Sequence, residues 1–490
     1  MNRLMTYGVL AAWTGLFSGT SSIISAERAE SFDVDPHWEG RNNRSPVPPV
    51  RKIVQDFGYS PTNHAGGKTA GEFGGFVTPA AEPAYYAAQI AEKTFQDTLE
   101  ASGTLACRGR QFHVLVGFFN SDTLKEWRTP NTIALRLYGR GERFYAYVEY
   151  ATARWRAGGD EPRPFKRIRD QKTGRQEIEG FASAGAIHTW SLRYDPRANR
   201  GHGSITATID DQVSVCHLVP GHQKDGARFN RFGMLNVIKH ADSGGELWFD
   251  DITINGRTEH FDHDPDWERF QSRRTHESVD VRPRFDFGFS PTQYAGGKTK
   301  GELGGLIFRG DNRDPEKMAS YADRLENLNL NKPLRAAGKV CLKRGISDST
   351  TLLGFFHSEN SFTANQDQSS AIPEHFLGVA VEGPSREGFF FYPTYRISGK
   401  GGGRTRSDGL PRILPNGAAH DWTLDYEPGA AESNGRVTAT LDGQSVHIDL
   451  PAADALTGAE FDRFGIITTW IDGNGQQVFF DDLSYTRRQP

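Results

Sequence analysis

The sequence predicts an all-β protein built as two tandem antiparallel jelly-roll β-sandwiches, and three observations predict it. A twenty-residue stretch occurs twice, 230 positions apart: Asp56 to Gly75 reads DFGYSPTNHAGGKTAGEFGG and Asp286 to Gly305 reads DFGFSPTQYAGGKTKGELGG, with fifteen residues identical. Five further pairs of segments recur in the same order at offsets between 229 and 237. The paired segments are rich in β-branched and aromatic residues and broken by Gly, Asp, Asn and Pro, the pattern of short strands and turns. A repeat this long exceeds the period of a solenoid, about 20 to 50 residues, and marks a duplicated domain.

From the N-terminus, residues 1–26 (MNRLMTYGVLAAWTGLFSGTSSIISA) join a basic Arg3, an apolar run from Tyr7 to Phe17 and a Ser-rich stretch ending in Ala26. That is the build of a secretory signal peptide. The apolar run is too short for a bilayer core of roughly 30 Å, and no later run is long enough to span it. The chain is therefore expected to be exported, as a secreted, periplasmic or cell-surface protein, with no cysteine near the cleavage site for a lipid anchor. The remainder divides into residues 27–258 and 259–490, each large enough to bury its own core. A net charge of -4 argues against nucleic acid as a partner. Of the three cysteines, Cys107 and Cys341 fall at matching places (ASGTLACRGR and AAGKVCLKRG) and Cys216 faces no cysteine in the second copy. A Cys107–Cys216 bridge is conceivable, and the odd count favours buried free thiols.

The paired segments justify the strands in turn. Phe32 to Glu39 (FDVDPHWE) matches Phe261 to Glu268 (FDHDPDWE), and Gly117 to Ser121 (GFFNS) matches Gly354 to Ser358 (GFFHS). His188 to Pro196 (HTWSLRYDP) matches His420 to Pro428 (HDWTLDYEP), FNRFG at 229–233 matches FDRFG at 461–465, and WFDD at 248–251 matches FFDD at 479–482. Ser204 to Asp210 and Arg436 to Asp442 alternate cleanly, with Ile205, Ala207 and Ile209 on one face of the first. Helical periodicity is rare and best over Pro315 to Leu328.

An opening FDxDPxW, a central HxWxLxYxP, then DRFG and a closing FFDD strand resemble concanavalin A-like lectin/glucanase domains, including the LamG-like group. The resemblance covers nearly all of the mature chain as two copies. It implies a jelly roll whose first and last strands lie side by side, so that FDxD and FFDD meet. It does not choose among lectins, adhesion modules, glycoside hydrolases and polysaccharide lyases. The acidic ExDxxE strand of laminarinase-type members is absent.

Candidate chemistry comes from residue types that both copies keep. In the opening motif, Lys68 with Glu72 and Lys298 with Glu302 read either as ligand-binding groups on a Gly-rich loop or as a surface pair beside bulged turns. Tyr150, Thr152 and Arg154 (YATAR) match Tyr392, Thr394 and Arg396 (YPTYR); two apart on a strand, the three side chains share a face. A phenol, a hydroxyl and a guanidinium in a row suit a sugar, with Arg able to hold a carboxylate or sulfate in two bonds. The resemblance implies a catalytic use as well: concanavalin-like lyases neutralise a uronate with Arg and take a proton with Tyr or His, which singles out Arg396, Tyr392 and His357 in the second copy. Basic loops come after this strand, with Arg163, Lys166, Arg167, Arg169, Lys172 and Arg175 in the first copy and Arg404, Arg406 and Arg412 in the second. They suggest an anionic ligand or are simply solvated. His188 and His420 read as structural. Asp33, Asp251, Asp262 and Asp482, where the terminal strands meet, offer oxygen ligands for a structural Ca²⁺ or merely end strands and turns.

The sequence thus points to an exported protein that binds a polysaccharide, anionic in character, through duplicated concave-face sites, with no cofactor required. A polysaccharide lyase acting by β-elimination or a glycoside hydrolase is the enzymatic alternative. A cell-surface or adhesion protein that binds another protein is the third.

Overall fold

The computed structural model describes residues 26–489, except 46, 48, 109–110, 170–175, 283, 311–313, 364–370, 384–387, 398, 403–408, 433, 452–457 and 472. Residues 1–25 of the expected signal peptide lie outside the described residues, as do Lys172, Arg175, Arg404 and Arg406, while Ala26 begins a strand. Among the described residues no helix is long and apolar enough to cross a membrane.

Each copy of the repeat forms a sandwich of two antiparallel sheets. One sheet, here the motif sheet, carries the repeated stretch; in the first copy its order is Gln212–His217, Ser204–Ile209, Ile187–Asp195, Leu99–Arg108, Gly245–Ile254, Glu72–Val77, Arg51–Ser60. The opposite sheet runs Arg143–Ala151, Thr132–Arg140, Gln111–Phe119, Arg228–Asn236, Tyr85–Thr94. The second copy repeats both orders with Gln444–Asp449 through Asp286–Ser290 and Phe390–Ile397 through Ser320–Asn329. Neighbours distant in sequence, with chain passing repeatedly between the sheets, make these jelly rolls, as expected.

Period-two alternation explains the cores. In HTWSLRY and HDWTLDY the Trp, Leu and Tyr point inward: Trp190, Leu192 and Tyr194 are buried in the first core and Trp422, Leu424 and Tyr426 in the second. Each Tyr hydroxyl donates to a backbone carbonyl, of Phe95 at 2.8 Å and of Leu330 at 2.9 Å. His188 and His420 each hold the Asp of the following turn, Asp210 and Asp442, at 2.6 Å, the structural role expected of them.

At the ends of the two copies the strands cross over. The expected division at 258/259 places Phe261 to Glu268 with the second copy, yet Glu268–Phe270 pairs with Tyr85–Ala87 and Arg273–Ser278 with Arg51–Asp56, both in the first sandwich. Reciprocally, Ala26–Glu30 pairs with Leu483–Arg488 and Glu39–Arg41 with Ser320–Ala322 of the second. Phe261 is buried in the first core, and Phe32 and Trp38 in the second. FDxD does meet the closing strand, but the N-terminal segment closes the last sandwich and the connecting segment closes the first. The physical reason is reach: after the Asn255–Gly256 turn the chain folds straight back along its own strand, Ile252–Ile254 against Arg257–Glu259.

The sandwiches touch through a polar seam. Asp280 lies between His240 (3.0 Å) and Arg344 (2.5 Å); against the opposing effect of burial, these two partners hold its carboxyl down at about 2. His240 Nε2 accepts the Gly475 N–H at 3.2 Å, and its ring lies 4.4 Å from that of Phe308.

Two local expectations are corrected. Pro315 to Leu328 is a 3₁₀ turn at Pro315–Lys317 followed by the strand Ser320–Asn329, because pairing with Glu460–Ile467 overrides the local period. All three cysteines are free and buried, as the odd count favours. Cys107 and Cys341 are not equivalent, however. Ala106 pairs with Trp248 and Cys341 with Phe479, so the matching residue is Ala106, and Cys107 faces the core while Cys341 faces outward beneath Phe479.

Candidate functional site

The sequence-derived set does not converge. Glu72 lies on the motif sheet and Tyr150 on the opposite sheet of the same sandwich, and the second copy repeats this separation with Glu302 and Tyr392. Glu72 is fully buried and accepts from Thr62 Oγ1 (2.6 Å), His64 N (2.8 Å) and Ala65 N (2.8 Å). Glu302 does the same with Thr292 (2.5 Å), Tyr294 N (2.9 Å) and Ala295 N (2.8 Å). These carboxylates are therefore staples for the loop rather than ligand groups. Lys68 and Lys298 are exposed on that loop.

The Tyr-Thr-Arg trio is also corrected. Gly117 faces Ala134, which faces Glu149; in the second copy Gly354 faces Gly378, which faces Thr394. Tyr150 is thus the counterpart of Tyr395 and not of Tyr392, a slip of three residues that turns the side chain to the other face. Tyr150 points into the core, its hydroxyl 2.9 Å from His222 Nδ1 and accepting Val219 N–H at 2.9 Å. Thr152 is buried and donates to Asp225 at 3.0 Å, while exposed Arg154 gives its carbonyl to Arg412 of the second sandwich at 2.8 Å. Tyr392, Thr394 and Arg396 do share the outer face, but all three are buried: Tyr392 donates to Glu382 at 2.6 Å and Arg396 pairs with Glu374 at 2.7 Å. His357 caps a turn, its Nδ1 accepting Glu359 N–H at 3.1 Å and Asn360 N–H at 3.2 Å.

What the repeated loop does position is an aromatic ring. The Glu72 staple sets His64 over Trp248, ring centroids 4.8 Å apart at 54°, and the Glu302 staple sets Tyr294 over Phe479, 4.8 Å apart at 49°. A cation completes each: Arg108 Nη1 lies 2.8 Å from His64 Nδ1, and Lys343 Nζ lies 3.6 Å from the Tyr294 centroid. The two cations lie two positions beyond the residue paired with Trp248 or Phe479, but not at the same rung: Arg108 faces Glu246, whereas Lys343 sits in a bulge and Arg344 faces the matching Gln477. Across the sheet stands a second cation from the crossing segment: Arg273 donates to the Tyr59 carbonyl at 2.7 Å and Arg44 to the Phe289 carbonyl. In the second sandwich these residues line a groove of about 320 Å³ with bare Gly304 and Gly305 between them. Gly305 has φ +137°, and a Cβ there would lie 2.2 Å from the Asp286 carbonyl, so neither a side chain nor an ordinary backbone fits. The repeated stretch aligns His64 with Tyr294, and their common ring is the signal that could have marked them.

Beneath each loop lies a second buried carboxylate, Asp250 or Asp481, with one oxygen accepting the next residue's N–H at 2.7 Å. The other oxygen explains the invariant AGG: a Cβ on Gly67 would lie 1.8 Å from Asp250 Oδ2, and one on Gly297 2.0 Å from Asp481 Oδ2. Burial pushes the Asp250 carboxyl up to about 6 and Asp481 to about 7, with the negative charges of Asp251 and Glu72, or Asp482 and Glu302, adding to it. A folded-state value above the ordinary 3.8 favours the protonated acid, so this contribution to stability is present in full at low pH and lost as pH rises through 6 and 7. The Asp250→Asn, Asp481→Asn double variant is expected to gain on the order of 2 kcal/mol per site over the parent at pH 8, less at pH 5 and little below pH 4. Urea midpoints across that range check it; parallel pH profiles for both proteins would disprove the coupling.

Each sandwich carries a charged cluster on the outer face of its opposite sheet: Arg309, Glu382 and Tyr392, with Arg396 and Glu374, in the second, and one that includes a histidine in the first. Arg136 lies between Trp127 (5.1 Å) and Tyr147 (4.0 Å), pairs with Glu149, and has Nη1 3.2 Å from His113 Nε2. Burial, then the charges of Lys239 and Arg136, hold His113 well below the usual imidazole range, so it is neutral. By register the second sandwich has Thr350, Ala380 and Thr394 at the His113, Arg136 and Glu149 positions, and an apolar cluster of Phe362, Leu410 and Trp470 packs on that face.

The acidic ends do not gather as ligands. Asp251 holds His260 at 2.6 Å, Asp262 accepts from Thr69, and Asp33 accepts from Ser31 at 3.2 Å. Asp482 follows Asp481 in the bulge of the second closing strand with φ +46°. Among the described residues no group of three or more His, Cys, Asp or Glu is placed to hold a metal ion.

No known protein-family profile matches the chain, and no curated protein matches it. Among solved structures it is similar to domains LG4–5 of the mouse laminin alpha1 chain, at 11% identity over 84% of this chain and 87% of that one with a TM-score of 0.24. It is similar also to the carbohydrate recognition domain of Emp47p (10% identity, 41% of this chain, 89% of that one, TM-score 0.26) and to peanut lectin with a nine-residue peptide (13%, 41%, 89%, 0.24). At these scores the likeness carries no argument about function, and the jelly-roll assignment rests on the strand order.

Proposed function

We propose that the protein is an exported glycan-binding protein that holds an anionic polysaccharide in two equivalent grooves on the outer faces of its motif sheets. The observation that carries this reading is the recurrence, in both copies, of a loop ring 4.8 Å from a strand ring with a cation beside it. Aromatic rings pack on the CH faces of sugars, and flanking Arg and Lys select for carboxylate or sulfate. Two like sites on one chain raise avidity for a repeating polymer.

Retention of the mature protein on uronic and sulfated polysaccharides tests it. His64→Ala and Tyr294→Ala are each expected to weaken retention severalfold, and the double variant to abolish it, because losing the second site removes the avidity of the pair. Undiminished retention by a folded double variant would refute the grooves.

The cluster around Arg136 favours a second reading, polysaccharide lyase activity. Once a substrate carboxylate draws the Arg136 guanidinium off His113 Nε2, that nitrogen is free to take the proton α to the carboxylate, and the glycosidic oxygen leaves from the β carbon with a proton from water. Unsaturated products absorbing in the ultraviolet, lost in His113→Ala, would support it; no such absorbance on any uronate polymer would remove it.

A further inference from the structure

The two sandwiches differ at one edge in a way that points to a ligand. In the second, Arg28 pairs with Asp323 at 2.9 Å and with Glu30 at 3.1 Å, and Tyr485 donates to Asp323 at 2.7 Å, so a cation, a carboxylate and a phenol close the edge. The ladders align these positions with the first sandwich. Arg28 faces Tyr485 as Arg257 faces Ile254, and Tyr485 faces Ala336 as Ile254 faces Ala101. Asp323 follows Ala322, opposite Gly465, as Ala88 follows Ala87, opposite Gly233. The first sandwich therefore keeps the arginine and replaces its carboxylate and phenol partners with Ala88 and Ile254.

The vacated volume stays open. A cleft of about 670 Å³ lies there, within the range of roughly 300 to 1,000 Å³ usual for small-molecule sites. Ala88, Ile90, Ile254 and Trp267 form its apolar wall, continuous with the first core, while Arg257, Gln89 and Asn255 stand at its polar side. Arg257 is exposed and has no ion-pair partner among the described residues. Three acids and Lys93 also line the cleft: Glu259 accepts the Phe261 N–H at 3.2 Å, as Glu30 accepts that of Phe32, Glu268 pairs with Arg231 at 2.6 Å, and Asp266 stands among them.

We propose that this cleft binds a six-membered ring bearing a carboxylate, the carboxylate pairing with Arg257 and the ring lying against Ile254 and Trp267 where the second sandwich holds its own Asp323 and Tyr485. The same chemistry is offered by a hexuronate and by an aryl carboxylate. This site is separate from the grooves of the motif sheets and does not rest on them.

Titration of the mature protein with glucuronate and with benzoate, followed by ligand-observed NMR, tests it, with glucose and benzyl alcohol as uncharged counterparts. At least one acid is expected to bind at least tenfold more tightly than its uncharged counterpart; glucuronate would identify a glycan end as the source, benzoate an aromatic acid. Arg257→Gln is expected to remove that preference. Ala88→Asp with Ile254→Tyr rebuilds the network of the second sandwich and is expected to abolish binding while raising the melting temperature. The His64→Ala, Tyr294→Ala variant is expected to bind the small acid unchanged, which separates this site from the polysaccharide grooves. Absence of binding by both acids at millimolar concentration, or binding that survives in the rebuilt edge, would overturn the proposal.

Discussion

Removing residues 26–44 is expected to unfold the second sandwich and leave the first folded. The segment contributes the strand Ala26–Glu30, the short strand Glu39–Arg41, and two rings of the second core. Phe32 packs 5.3 Å from Trp38, which in turn lies 5.9 Å from Tyr321 and 6.1 Å from Tyr485. Truncating a buried Phe or Trp costs about 3 to 5 kcal/mol, so loss of the pair removes about 6 to 10 kcal/mol. That is the size of a whole domain's stability, about 5 to 15 kcal/mol, before the lost strand pairing is counted. The first sandwich keeps its own equivalents, Phe261 and Trp267, on the connecting segment. Thermal unfolding of the truncated protein should show one transition in place of the parent's two, and a peptide of residues 26–44 added in trans should restore the second. Two unchanged transitions would show that the crossing segment is dispensable.

Replacing Glu302 with Ala is expected to destabilise the second sandwich by about 2 to 6 kcal/mol, since a buried donor left unpaired costs about 1 to 3 kcal/mol and two of the three donors it serves are left unpaired, Thr292 keeping Ser290 at 2.7 Å. The three donors are Thr292 Oγ1, Tyr294 N and Ala295 N. Gln is no rescue, because its NH₂ must face at least one of the same donors. Lys298→Ala, on the same loop but exposed, should change stability by less than about 0.5 kcal/mol. Denaturant midpoints for the three variants discriminate a staple from a ligand group: a neutral Glu302→Ala would return Glu302 to the surface residues.

Duplication made the jelly rolls legible, since one copy served as the other's alignment and the inward Trp of each HxWxLxY strand could be read from alternation alone. Ownership of FDxDPxW could not be read. The motif occurs in the first 45 residues and again near residue 261, between the two bodies, and linear order does not say whether such a segment closes the sandwich before it or the one after it. The Tyr-Thr-Arg trio failed for a different reason: identical letters three residues out of register look like a match, and only hydrogen-bonded partners such as Ala134 and Gly378 show that the face has changed. The Glu of the repeated motif is visible as an invariant but not as a staple, because two of its three partners are backbone N–H groups that have no letter in the sequence.

Arg44 and Arg273 reach their grooves from the crossing segments, whereas Lys343 and Arg108 belong to the sandwiches those segments close. A ligand bound to both cations therefore spans a joint in the chain. By linkage, whatever such a ligand gains from contacts across the joint it adds to the free energy of keeping the joint shut, and a joint strained open lowers affinity by the same factor. Tension on a polymer held in the second groove would be borne by the hydrogen bonds between Ala26–Glu30 and Leu483–Arg488, making occupancy and mechanical resistance two measurements of one equilibrium.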